Sequence, residues 1–158
     1  MNHGMPAGLG DVVQHGTDTR FIQSGLMLRY GGQCVAAIWF CGDEHAAEIL
    51  VCRPAPDDSI DWLRRVPTEL PTQAPTRLAI DSFLLDRTAT MYVDAEACAV
   101  DGTPAPACSE SAQFALYASP SGTVACVLAW SEGSSRVWHG PRLEAFDYDN
   151  LGRGIAEP

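Results

Sequence analysis

The sequence predicts a mainly β fold, an antiparallel sheet of about eight strands folded as a sandwich or partly closed barrel, with one short helix. An α+β arrangement, with that helix laid on one sheet face, is the near alternative. Three observations predict it. Short runs rich in Val, Ile, Leu, Ala and aromatic residues recur along the chain. Tight-turn signals such as Gly31-Gly32 and Ser121-Gly122 separate them. No strand–helix–strand alternation occurs, which argues against a parallel doubly wound sheet.

Taken in order, residues 1–20 are glycine-rich and polar without a clear period, and are expected to form a flexible arm. Gly25 to Tyr30 is a short strand, Gly31-Gly32 a two-residue hairpin turn, and Gln33 to Phe40 the return strand. The return strand is apolar at both parities, so both of its faces should be covered. Ala47 to Cys52 is a third strand, completing an antiparallel meander. Asp57, Asp58 or Ser59 can cap a short helix running through Ile60, Trp62, Leu63 and Val66, with acids in its first turn. Pro67 to Pro75 is a proline-rich loop. Arg77 to Leu85 has an ambiguous period, and a turn at Asp86-Arg87 is expected to lead into Thr88 to Ala95, where Ala89, Met91 and Val93 alternate with Thr90, Tyr92 and Asp94. Glu96 to Ser111 reads as a loop. Gln113 to Ser119, Thr123 to Trp130 and Ser135 to His139 are strands joined by tight turns. One helical turn around Leu143 to Tyr148 closes the chain. The domain reading is an arm over 1–20, one globular domain over 21–150 and a frayed tail over 151–158.

The chain has 158 residues, enough for one well-packed domain. Its apolar content of 46 % and charged content of 19 % place it among folded proteins. The apolar run Val35 to Cys41 is too short to span a bilayer. Met1 to Gly10 lacks the arginine and apolar stretch of a secretory signal, so the expectation is a soluble, cytoplasmic protein with no membrane association. Six cysteines raise the question of disulfides. Cys34, Cys41, Cys52 and Cys126 lie in apolar strand-like runs, where a free thiol acts as a small hydrophobe. Cys98 and Cys108 flank a proline-containing loop that they would close in an oxidising compartment.

Charge is the feature that bears most on function. Twenty acids face ten basic residues, all of them arginine, for a net charge of −10. That field repels phosphate, and the arginines are dispersed, so nucleic-acid binding is disfavoured. Motifs for catalysis are weak. Cys41-Gly42-Asp43-Glu44-His45 gathers ligand types on one turn, but no paired CxxC or HxxxH spacing accompanies it, and no metal or cofactor is expected. A thiol–imidazole pairing of His139 with Cys41 or Cys126 would need a contact that spacing does not supply.

The acids gather in loops: Asp43 and Glu44 in one, Asp57, Asp58 and Asp61 in the next, and Glu144, Asp147 and Asp149 near the end, interleaved there with Phe146 and Tyr148. Aromatic anchors among charges suit the anchor-and-rim pattern of an interface. These ten residues are the expected partner-binding set. The expected function is a small acidic, non-catalytic binding protein, most concretely an inhibitor or immunity protein that covers the basic cleft of a toxin or enzyme. One alternative is a β-barrel ligand carrier or enzyme, its pocket lined by Trp39, Phe40, Met91, Trp130 and Trp138 with His139 or Asp81 at the mouth. A second is a secretion chaperone or assembly subunit that holds a basic client.

Overall fold

A computed structural model describes residues 5–41, 48–68, 70, 73–106, 108, 111–144 and 147–153. These residues form twelve strands: β1 (Asp11–His15), β2 (Asp18–Phe21), β3 (Ser24–Tyr30), β4 (Gln33–Phe40), β5 (Glu48–Arg53), β6 (Ser59–Val66), β7 (Arg77–Ile80), β8 (Phe83–Ala99), β9 (Ser111–Ala118), β10 (Thr123–Trp130), β11 (Ser135–Leu143) and β12 (Asp149–Arg153). No helix occurs among the described residues.

Every strand pairing is antiparallel, and eight strands close into a barrel. The order around it is β3-β4-β5-β6-β11-β10-β9-β8, with β8 returning to β3 and β7 added on the β8 edge. The wall thus consists of two four-stranded meanders, β3–β6 and β8–β11, joined along two seams. One seam aligns Ile60 with Leu143 and Val66 with Val137. The other aligns Ser24 with Ala99 and Arg29 with Asp94. Local hairpins build each meander, and distant pairings close the ring.

An eight-stranded barrel is just wide enough for side chains to fill. Here Leu28, Ile38, Phe40, Ile49, Val51, Leu63, Phe114, Cys126, Leu128 and Trp138 lie buried together inside it. The alternate residues of the first meander face outward, yet they are buried as well. Trp39, Leu50, Cys52 and Ile60 are covered by Met5, Ala7, Val13 and Ile22. Those covering residues belong to the chain's start, whose strands β1 and β2 form a small sheet with β12 in the order β12-β1-β2. The Trp39 indole N–H donates to the Ala7 carbonyl at 3.0 Å, which fixes this cover to the barrel. On the second meander, Ala115, Tyr117, Ala125, Val127 and Val137 pack under Ala74, Leu78, Ile80 and Leu85. Two covered faces explain why β4 and β10 are apolar at both parities.

The structure corrects several expectations. The proposed helix after Asp57 is strand β6. Ile60 and Trp62 face the outer cover while Leu63 faces the barrel interior, so burial of both parities hid the period of two. The expected arm over 1–20 contains strands β1 and β2, with Val13 fully buried. The turn expected at Asp86-Arg87 lies earlier, between Ile80 and Phe83, where Asp81 takes a φ of 53°. Strand β8 runs through Arg87 with a bulge between Arg87 and Ala89, and it continues to Ala99 where a loop was expected. Residues 151–153, expected to fray, pair with β1, as Arg153 against Asp11 shows. None of the six cysteines forms a disulfide: the Cys98 thiol donates to the Gly25 carbonyl and the Cys108 thiol to that of Ala95.

Candidate functional site

The β5–β6 turn and the end of β11 meet at one end of the barrel. The register places Arg53 opposite Ser59 and Val51 opposite Asp61 on β5 and β6, and Asp61 opposite Arg142 across the seam. Val51 belongs to the interior cluster, so Asp61, Ser59 and Arg53 share the inward-facing parity. Asp61 is 1 % exposed. Arg142 satisfies it with two bonds, Nε to Oδ1 at 2.8 Å and Nη2 to Oδ2 at 3.3 Å. The hydrogen bond and charge of Asp61 hold the Arg142 pKa above its usual value, against the opposing effect of burial.

Around this pair lie exposed acids from two loops distant in sequence. Arg142 also senses the charges of Asp57 and Glu144, and Tyr148 senses that of Asp58. Asp147 accepts the Glu144 N–H at 3.0 Å, which folds the second loop. Arg53 makes a long ion pair with Asp57 at 3.7 Å. Two polar atoms here are buried without a hydrogen-bond partner, Arg53 Nε and Ser59 Oγ. A buried donor left unmade costs about 1–3 kcal/mol, so such atoms mark a place where another group is wanted.

The expected binding set therefore divides. Asp57, Asp58, Glu144, Asp147 and Tyr148 converge on one barrel end, as their shared electrostatics show. Asp149 is exposed at the start of β12, opposite Gln14. Asp61 does not present its carboxylate to the surface, since it lies inside the wall and its charge is spent on Arg142. Asp43, Glu44 and Phe146 lie outside the described residues. Sequence reasoning missed Arg53, Ser59 and Arg142, because their importance comes from pairing across strands and their local sequence carries no motif.

A second polar cluster sits on the outer face of β6 beside the small sheet. Glu48 accepts Arg20 Nε at 2.8 Å, Arg64 Nη2 at 3.2 Å and the Trp62 indole N–H at 3.4 Å. Arg20 lies over the Trp62 ring at 5.3 Å, and the His15 ring is 5.7 Å from it. Burial opposes ionisation of Glu48, but the bonds from Arg20 and Trp62 and the cationic charges outweigh it, so its pKa falls below the ordinary carboxylate value. Every strong partner of that carboxylate comes from this chain, and the cluster clamps the cover to the barrel.

The thiol–imidazole pairings do not form. Cys126 lies in the barrel interior, whereas its register neighbour Ala125, opposite His139, faces outward. His139 instead lies against Phe83 with ring centroids 5.3 Å apart and the rings tilted by 51°, and burial lowers its pKa despite the nearby Asp81 charge. Burial pushes the Cys41 thiol up to about 12, the opposite of what a nucleophile needs. Among the described residues no cluster of three His, Cys, Asp or Glu side chains is placed to hold a metal, and Asp43, Glu44 and His45 fall outside them. The aromatic set proposed for a pocket is also dispersed. Trp39 lies under the outer cover, while Phe40, Trp130 and Trp138 are buried in the packed interior. Of that set only Trp130 lines the depression of about 380 Å³ that it shares with Gln73, Tyr92, Gln113 and Glu132 among others. No helix of the described residues is long and apolar enough to cross a membrane.

No protein-family model, curated protein or solved structure matches this chain.

Proposed function

We propose that this protein is a small acidic, non-catalytic binding module that docks on a cationic protein, in the manner of an inhibitor or immunity protein covering a basic cleft. The observation that carries the reading is the convergence of Asp57, Asp58, Glu144 and Asp147 on one barrel end around Tyr148. These carboxylates lie on two loops at the end of the wall, and gathered negative charge accelerates encounter with a positive surface. Tyr148 supplies a half-buried aromatic anchor within the charged rim.

The reading is narrower than the net charge alone suggests. Glu48, Asp61, Asp86 and Glu96 all answer arginines of the same chain and are not free for a partner. The test is capture from an extract of the source cells by the native protein and by a variant carrying Asp57→Asn, Asp58→Asn, Glu144→Gln and Asp147→Asn. A basic protein held by the native form at low salt, released at raised salt and not held by the variant supports the reading. Equal capture by both forms, or no protein retained at low ionic strength, overturns it.

A further inference from the structure

We propose that the edge of β8 between Arg87 and Asp94 is a docking slot for an extended segment of a cationic protein, which would add a strand to the barrel. The proposal rests on the binding-module reading for the sign of the partner and extends it to a second surface and a mode of attachment.

Strand β8 is longer than any neighbour. One edge pairs with β9 from Asp86 to Asp94. The opposite edge pairs with β7 only over residues 83–86 and with β3 only over residues 94–99. Between them, residues 88–93 have no strand partner on that side among the described residues. Backbone parity identifies the open groups. Val100 donates its N–H to the Gln23 carbonyl at 2.9 Å, so even-numbered residues after the bulge point their backbone toward the β3 side. Thr90 and Tyr92 therefore present their N–H and C=O groups to the opening. At about 3.3 Å per residue the slot is roughly 20 Å long, enough for a short strand between the ends of β3 and β7.

The composition of this edge is unusual for one left bare. Natural sheets guard open edges with charge, proline, a strong bulge or a covering loop. Thr88-Ala89-Thr90-Met91-Tyr92-Val93 carries no charge, no proline and no glycine, and its residues favour strands. Thr88, Thr90 and Tyr92 are exposed, Tyr92 at 68 %. On the inward side Ala89 and Met91 are only partly buried members of the interior cluster, so alternate guest side chains would meet an apolar lining. The bulge lies at one end of the stretch and leaves the remainder straight enough to pair.

Charge selects the occupant. Asp94 flanks the slot and is exposed, whereas Asp86 at the other end is ion-paired with Arg77. A second copy docked in the slot would bring together two chains of −10 each. A cationic segment meets the opposite situation, with Asp94 at one end available to a lysine or arginine of the guest. Backbone bonds supply the attachment, and Asp94 together with the chain's net charge of −10 supplies the preference in sign.

The experiment uses the full chain and amide hydrogen exchange, with three capped hexapeptide probes of alternating Val and Thr. One is terminated by lysines, one by glutamates in their place, and one is the lysine form N-methylated at alternate amides. Protection of the Thr90 and Tyr92 amides by at least tenfold with the lysine peptide, lost with the N-methylated peptide and weakened with the glutamate peptide, supports the slot. The variant Tyr92→Lys, which changes an exposed side chain and leaves the wall intact, should reduce that protection. Absence of protection by all three peptides overturns the proposal. So does equal protection by the glutamate peptide, or concentration-dependent protection with dimer formation in the absence of peptide. The quadruple variant at Asp57, Asp58, Glu144 and Asp147 should retain the peptide-induced protection, so failure of the acidic end and failure of the slot register separately.

Discussion

Asp61 and Arg142, 81 residues apart, hold one end of the barrel together through two hydrogen bonds across the β6–β11 seam. Asp61 is almost fully buried, whereas the Arg142 side chain keeps 35 % of its exposure. The two ends of the pair therefore respond unequally to substitution. Arg142→Met leaves an uncompensated buried carboxylate and should cost about 3–5 kcal/mol. Asp61→Asn leaves a guanidinium that still reaches water and should cost about 1–2 kcal/mol. Urea unfolding of both single variants checks the order, and the double replacement Asp61→Leu with Arg142→Met should recover most of the larger loss.

Gly25 and Gly140 permit close approach of neighbouring elements. A Cβ at Gly25 would run into the Ile38 carbonyl and the Trp39 ring, and one at Gly140 into the Trp62 carbonyl. Neither obstacle is the flexible end of a side chain, so Gly25→Ala and Gly140→Ala should each destabilise by about 1–3 kcal/mol. Thermal unfolding measures the loss. Gly140→Ala acts on the seam that Arg142 also serves, so its effect should not add to that of Arg142→Met.

Buried thiols make the fold sensitive to alkali. Burial raises the Cys41 pKa to about 12 and that of Cys98 to about 11, and it pushes Cys52 and Cys126 in the same direction. The unfolded chain releases these protons near 8.5, while the folded chain retains them. This contribution to stability is complete below about pH 8.5 and disappears as pH rises through the folded values. Urea midpoints should fall between pH 8 and pH 10.5, and Cys126→Ala should flatten that slope. A thiol reagent at neutral pH should modify exposed Cys108 first and reach Cys52 and Cys126 only on unfolding.

Acid acts on other groups. The depressed pKa of Glu48 gives stability that is present above the ordinary carboxylate value near 4.3 and is lost as pH falls through the folded value. His139 is also depressed, through burial, so its contribution is present above about pH 6.5 and declines on acidification. Glu48→Gln should therefore remove part of the stability change between pH 5 and pH 3. His139→Gln should remove part of the change between pH 7 and pH 5. Unfolding midpoints across that range separate the two.

Much of the β architecture was legible because turns are local. Gly31-Gly32 and Ser121-Gly122 specify their hairpins within a few residues, and β3, β4, β9 and β10 follow with small shifts at their ends. The alternation Ala89-Met91-Val93 was readable because the outer face of β8 meets solvent. β6 was misread for the opposite reason: an outer layer buries Ile60 and Trp62, leaving no polar face to mark the period. That layer was itself hard to see, since its buried side chains Met5, Ala7 and Val13 are sparse in a polar stretch. The acid clusters were visible as loops, but their approach depends on β6 lying beside β11, a pairing between residues 60 and 143 at its far end. Asp61 looked like its neighbours in sequence and differs from Asp57 and Asp58 only in where the strand points it.

The two meanders also set an order of assembly. Each can zip up from tight hairpins, whereas the Ser24–Ala99 and Ile60–Leu143 alignments require the chain to bring together segments more than seventy residues apart. Loop closure of that span precedes any reward from pairing, so the ring should shut late and slowly. Substitutions at Gly140 or Arg142 would then accelerate unfolding while leaving the refolding rate nearly unchanged.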